Sequence, residues 1–466
     1  MTVPDAMRRH AQSAGATVTA QAERLATDLA DLVRIESVSS DVRCYDAVDE
    51  SAAAIARLVR DLNLFDQVDV VRSVSDGVAG RPAVVASRPS RRGRPTVLLY
   101  AHHDVQPVGD LELWDRPPFD PEIEDGRMYG RGAADDKAGV MTHVAALRAL
   151  AQVLPDPDLG LVMFVEGEEE CGSATVAATL LERRDQLRCD VAVVCDSDNW
   201  TPETPALTTS LRGAILFDFE VRTLNAPLHS GMFGGAAPDA FMCAAVLVAS
   251  LYKEDGSVAV KGLRRGPEPD IDFDKASYMA DAGLIGAQLV GGGSIAGRVW
   301  QNPSITVIGV DAPTCAEAST SLMSTVRLRV NVRVTPEQSP DEAFSLIADH
   351  LRRHAPFGAT ISFEDVRTVP GLDTTDSGLG SRTMREALAY IWPNPAVSMG
   401  IGGSIGFVAA YRQVFPDSEI LVIGTGDPAS NIHGYNESVE MRTLLRMASA
   451  EAAFLLALDS GSAEAT

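Results

Sequence analysis

Leu25, Leu29, Leu32 and Val33 recur every three or four positions with charged residues between them, which predicts a helix over about 20–34. Similar spacing predicts a second helix over about 47–62. Beyond it the pattern shortens. Runs rich in β-branched residues and leucine at 68–71, 83–87, 96–101, 161–165 and 190–195 read as strands, with helical patterns such as 139–154 and 173–184 among them. Strand and helix in alternation imply an α/β fold, an open, mostly parallel sheet flanked by helices, with chemistry gathered at the carboxyl ends of its strands. From about Thr208 the pattern changes. Residues 214–222 and 324–334 alternate apolar with polar positions, around a helix over about 239–253, which describes an α+β piece with a half-exposed sheet. The α/β pattern resumes near Ser377 with a helix to about 390, a glycine-rich turn, a strand at 419–424 and a last amphipathic helix from Val439. The expected organisation is therefore a catalytic domain of 1–206 and 368–466 carrying a smaller domain of 207–367.

Composition narrows the function. Among 466 residues, 64 Asp plus Glu outnumber 40 Lys plus Arg, for a formal charge of −24. Such a surface repels phosphate backbones and anionic lipid, so neither nucleic acid nor a membrane is an expected partner. The N-terminal stretch lacks the features of a secretory signal, and no run approaches the ~20 apolar residues that cross a bilayer. Six cysteines are scattered without a CxxC pair, as expected of reduced thiols. The expected location is cytoplasmic.

Several acid and histidine clusters lie just after the strands. AHHDVQP delivers His102, His103 and Asp104; positions two apart on extended chain share a face, so Asp104 can orient His102 while His103 points away. GRGAADDKAGV sets Asp135 and Asp136 in a turn before a helix, where a cation would offset their repulsion and one carboxylate can bridge two ions. It is no phosphate loop, because its lysine lacks the preceding Gly and the following Ser or Thr. VEGEEECGS carries Glu166, Glu168, Glu169 and Glu170, of which one can be a ligand and its neighbour a general base with a raised pKa. VVCDSDNW adds Asp196 and Asp198, and IGTGDPASNIHGYNE adds His433. Two histidines with three or four carboxylates suit zinc, manganese or cobalt and describe a two-metal hydrolase.

The wording and order of these motifs resemble the M20 family of metallopeptidases, most closely its cytosolic nonspecific dipeptidase branch, which is carnosinase-like. The resemblance runs from LVRIESVSS at 32–40 to His433. It implies a di-zinc peptidase fold with an inserted lid and dimerisation domain, and two divalent ions per chain, zinc first with manganese or cobalt as alternatives. By resemblance His102 is a ligand with Asp104 as its catalytic support, Asp135 bridges both ions through a turn whose bond to Asp136 is cis, Glu169 is the general base and Glu170 a ligand. Asp198 is the terminal carboxylate ligand, with Asp196 as second choice, and His433 completes the other ion. The implied sets are His102, Asp135 and Asp198 on one ion, and Asp135, Glu170 and His433 on the other.

PLHSGMFGG is similar to the loop whose histidine, here His229, stabilises the oxyanion in the other subunit of a homodimer. Arg333 in VRVTP and Ser404 in IGGSIG match the residues that bind the substrate carboxylate. The implied reaction is hydrolysis of dipeptides or short peptides with a free C-terminal carboxylate. Alternatives are deacylation of N-acyl amino acids at the same centre, or a noncatalytic binding protein on a peptidase scaffold. Gly400, Ile401, Gly406 and Pro227 depart from the dipeptidase wording in loops on the specificity side.

Overall fold

The computed structural model describes residues 3–374 and 378–461. Two compact units divide the chain. One comprises Met1–Thr209, Thr374–Met399 and Ile405–Thr466; the other comprises Ser210–Asp373 and Gly400–Ser404.

The larger unit is built on a mixed sheet whose order is Gln67–Val71, Ala83–Arg88, Gly160–Glu166, Thr96–His102, Val191–Cys195, Glu419–Ile423 and Ala206–Leu211. The four strands from Gly160–Glu166 to Glu419–Ile423 run parallel, with antiparallel neighbours on both sides. Gly160–Glu166 and Val191–Cys195 are buried along their whole length, as expected of strands covered on both faces. Period two divides their side chains. Val97, Leu99, Ala101, Met163, Val165, Val193 and Cys195 join one large core with the helices Lys137–Val153 and Met441–Ser460. On the other face Tyr100 stacks on Phe407 at a ring separation of 3.8 Å, beside Phe164.

A helix at Val3–Thr19 precedes the expected first helix, which is Ala22–Val33. Ala6, Met7, Ala11, Ala14 and Val18 are its buried positions; so many alanines give a weak apolar stripe, and the sequence reading passed over it. The start expected for a later helix, Ser377, lies outside the described residues; the helix is Leu379–Ile391.

In the smaller unit an antiparallel sheet runs Ser304–Asp311, Thr325–Val334, Gly213–Arg222, Thr360–Val369. One face alternates Ile215, Phe217, Phe219 and Val221 with Val326, Leu328, Val330 and Val332, and buries them against the helices Ala240–Ser250 and Pro340–Arg353. Among the described residues no helix is long and apolar enough to cross a membrane.

Candidate metal centre

On the parallel strands the face that carries Tyr100, Phe164 and Val194 continues, two residues on, into His102, Glu166 and Asp196. His102 lies opposite Glu166 in register, and Tyr100 opposite Val194, so His102 and Asp196 are neighbours at the strand ends. His102 Nε2 is 2.9 Å from Asp135 Oδ1 and 3.8 Å from Asp196 Oδ1. The other oxygen of Asp135 is 3.0 Å from His433 Nε2, which also lies 3.1 Å from Glu170 Oε2. Donor atoms of one first-row ion sit about 3 Å apart when each is ~2 Å from it. His102, Asp135 and Glu170 form one group able to hold an ion, and His102, Asp136 and Asp196 another. The donor chemistry therefore fits divalent cations, with Asp135 facing an imidazole on each of its oxygens.

Asp198 belongs to neither group, contrary to its expected place as terminal ligand. It lies two residues beyond Asp196, bridged through its backbone to Gly426, and its buried Oδ1 has no hydrogen-bond partner among the described residues. The strand register explains the difference, because the residue beside His102 is the first past Cys195. Asp104 also differs in detail. His102 Nδ1 donates to the backbone carbonyl of Asp104 at 3.0 Å, while the nearer carboxylate oxygen is 3.5 Å away. Either partner fixes the ring and leaves Nε2 free for a ligand's role. The Asp104 carboxylate instead accepts from Ser39 Oγ at 2.6 Å and from the amides of Glu169 and Glu170 at 3.1 and 3.0 Å. It thereby ties the HxD segment to the turn of the two glutamates.

The turn before Lys137 is held from behind. Glu437 Oε1 accepts from Ala134 N and Asp135 N at 2.9 and 3.1 Å, and its Oε2 from Arg131 at 2.5 Å. Lys137 Nζ donates to Leu32 O and Ile35 O. Gly132 has φ +83°, and a Cβ there would lie 2.5 Å from Val105 Cγ1. The Asp135–Asp136 peptide bond is cis. Of the remaining glutamates, Glu168 is engaged by Thr175 and the amide of Arg81, while Glu166 accepts from the Tyr100 hydroxyl at 2.8 Å through Oε2 and keeps a buried Oε1 without a hydrogen-bond partner among the described residues. His103 points away, as expected, with Nε2 donating to Pro82 O.

Burial dominates the electrostatics of this acid-rich pocket. It pushes Asp196 up to about 7 and Glu166 to about 8, and with the Asp196 carboxylate it pushes Glu169 well above the usual range. Asp135, flanked by two imidazoles, is held low despite its burial. Hydrogen bonds to Asp135 and Glu170 raise His433 to about 10. Sequence reasoning singled out neither Glu437 nor Gln106, whose amide donates to Glu170 Oε2 at 2.9 Å. Both stand inside quoted motifs, but a residue that holds a ligand carries no spacing signal of its own.

The other three expected site residues lie in the smaller unit. Arg333 donates to Ser404 Oγ at 3.4 Å. His229 is exposed at the end of the short pair Leu228–His229 with Ser321–Leu322, its Nδ1 accepting from Gly231 N at 3.0 Å.

Residues 98–457 match the sequence pattern of Peptidase family M20/M25/M40. The chain belongs to this family. With it the chain joins the metallopeptidases, and its relatives carry dipeptidase names. It is 32% identical over 452 residues to the cysteinylglycine-S-conjugate dipeptidase of Corynebacterium striatum, covering 96% of this chain and 98% of that one. It is 25% identical to the β-Ala-His dipeptidase of Rattus norvegicus, covering 91% and 90%. Among solved structures, the dipeptidase Dug1p of Saccharomyces cerevisiae superposes with a TM-score of 0.81 over 97% of this chain and 98% of that one, at 21% identity. That likeness shows the same fold over 97% of the chain.

Proposed function

We propose that this M20 enzyme hydrolyses dipeptides that carry a free C-terminal carboxylate, at a centre of two divalent ions, zinc in the first instance. The observation that carries the reading is Asp135, whose two oxygens face His102 and His433 at 2.9 and 3.0 Å. One ion belongs to His102, Asp135 and Asp196, the other to Asp135, Glu170 and His433. When bound, two cations would acidify a shared water and polarise the scissile carbonyl. Glu169 takes the proton of the attacking water and delivers it to the leaving nitrogen; its raised affinity for protons suits both halves of that task. Arg333 and Ser404 receive the substrate carboxylate.

The dipeptidase names of the relatives support this substrate class. The proposed unit of function is a cytoplasmic homodimer joined through the smaller unit, with His229 of one copy serving the centre of the other. Helix Ala240–Ser250 exposes Phe241, Met242 and Val246, and the edge strand Ser304–Asp311 exposes Ile308 and Val310, an apolar surface suited to a second copy. All six cysteines are free, as suits a reducing compartment.

A panel of unblocked dipeptides against N-acyl amino acids, run on zinc-, manganese- and cobalt-reconstituted protein, tests the reading. Turnover of the dipeptides is expected, and its loss on chelation. Hydrolysis of the N-acyl amino acids alone would replace the substrate, and full activity after thorough chelation would remove the metal mechanism.

The terminal ligand has its own test. Asp196→Asn should weaken binding of the ion at His102 by about 10–100-fold or more, on the scale of losing even an outer partner. Asp198→Asn should leave metal content unchanged. Equilibrium dialysis with metal analysis decides, and the reverse result would restore Asp198 to the centre.

The pKa shifts fix the sign of a pH dependence. Asp196 and Glu166 titrate higher in the folded protein than the usual carboxylate, at about 7 and 8, and His433 higher than the usual imidazole; these groups bind more protons in the fold than in the unfolded chain and outnumber His103 and Lys137, which burial lowers to about 4 and 7. Stability is then lost as pH rises through those values. Chelated protein should melt at a lower temperature at pH 8 than at pH 5, and added zinc should flatten or reverse the trend, because ligands release their protons to bind it. Calorimetry in matched buffers reads both slopes. A chelated protein that gained stability over this range would contradict the assigned shifts.

A further inference from the structure

Outside the metal centre, the smaller unit holds a cavity of about 630 Å³ whose wall carries Arg212, Lys253, Lys261, Arg265 and Arg298 and no Asp or Glu. In a chain with a formal charge of −24, five cations around one acid-free cavity are unexpected. Elsewhere in this unit several arginines do meet carboxylates: Arg264 pairs with Glu342, Arg327 with Glu364 and Arg329 with Asp218. None of the five forms an ion pair among the described residues.

Their placement separates a floor from a rim. Arg212 is only 8% exposed, and among the described residues its guanidinium donates to uncharged acceptors alone, Gly402 O, Arg298 O, Asn302 O and Ser304 Oγ. Arg298 donates to Val290 O and Gly293 O, and its Nε is buried with no partner among the described residues. Lys253, Lys261 and Arg265 are exposed at the rim. Asp255, which feels Lys253 and Arg265, offsets part of the rim charge but engages Ser257 instead. A buried guanidinium without a counter-ion is costly, and burial lowers Arg212 to about 10 with the neighbouring Arg333 adding repulsion. An anion in the cavity would relieve that cost.

We propose that this cavity is a binding site for a small organic dianion, of dicarboxylate or phosphate-ester chemistry, separate from the metal centre. Two charged groups are called for because cations stand both at the floor and at the rim, and the volume is far above that of one carboxylate. The site assigns a role to charges that the hydrolytic reaction does not use.

The test titrates metal-loaded enzyme by calorimetry with glutarate in one arm and glycerol 3-phosphate in the other. Saturable binding of one molecule per chain is expected in at least one arm, weakening with added salt. The double variant Lys261→Gln/Arg265→Gln, altered only at the exposed rim, should bind at least about tenfold more weakly. Its kcat/KM for a neutral dipeptide should be unchanged. Binding should survive in Glu170→Gln, which separates this cavity from the metal centre. Binding in one arm alone supports the site and names its chemistry. Binding in neither arm, equal affinity in the rim variant, or binding lost in Glu170→Gln each overturns the proposal.

Discussion

Glu169→Gln is expected to retain both metal ions and lose about 10²–10⁴-fold in turnover, the usual cost of removing a general base. Glu170→Gln, one residue on, should instead lose metal. The two side chains share a turn whose amides are both bound by Asp104, so neither substitution removes the support of the other. Their carboxyls differ in surroundings: Glu170 Oε2 meets His433 and the Gln106 amide, whereas the Glu169 carboxyl is set by burial and the field of Asp196. Metal analysis and steady-state rates on the same preparations separate the roles. Metal lost from the first variant and kept by the second would exchange base and ligand.

His229→Ala is expected to keep its metals and lose about 10²–10³-fold in turnover, as loss of one oxyanion donor does. The sharper expectation concerns mixtures. If the histidine of one copy serves the centre of the other, a heterodimer of His229→Ala with Glu169→Gln has one site damaged twice and one intact. Random exchange of equal amounts then restores about one quarter of the wild-type rate from two nearly inactive proteins, since half the dimers are mixed. Absence of recovery after exchange demonstrated by tagged subunits would confine His229 to its own chain. Its exposure, with the Gly231 amide as its side-chain hydrogen-bond partner among the described residues, leaves the imidazole available for such a task.

The chain spoke most clearly where one physical rule governed. Period-two alternation and β-branched runs marked the buried strands, and the same period told that His102 and His103 face opposite ways, which Pro82 and Asp135 now show. Where two rules competed, the sequence left a choice between neighbours. Asp196 and Asp198 share a strand face, and only the pairing register, set by long-range partners, puts the former beside His102. The helix at Val3–Thr19 was invisible because alanine packs closely without a strong apolar signature. The short segment Gly400–Ser404 joins the smaller unit through the Arg212 and Arg333 contacts, which no local pattern announces.

Glu437 stands four residues from His433 and grips the amides of Ala134 and Asp135 across 303 and 302 positions of chain. The spacing between a histidine and the bridging carboxylate is therefore written a second time, in an anion that never needs to touch a metal. Such duplication makes the shape of the centre heritable apart from its chemistry: a descendant could lose a ligand, and with it hydrolysis, while the loops kept their places and offered the same acidic cleft to a different cargo.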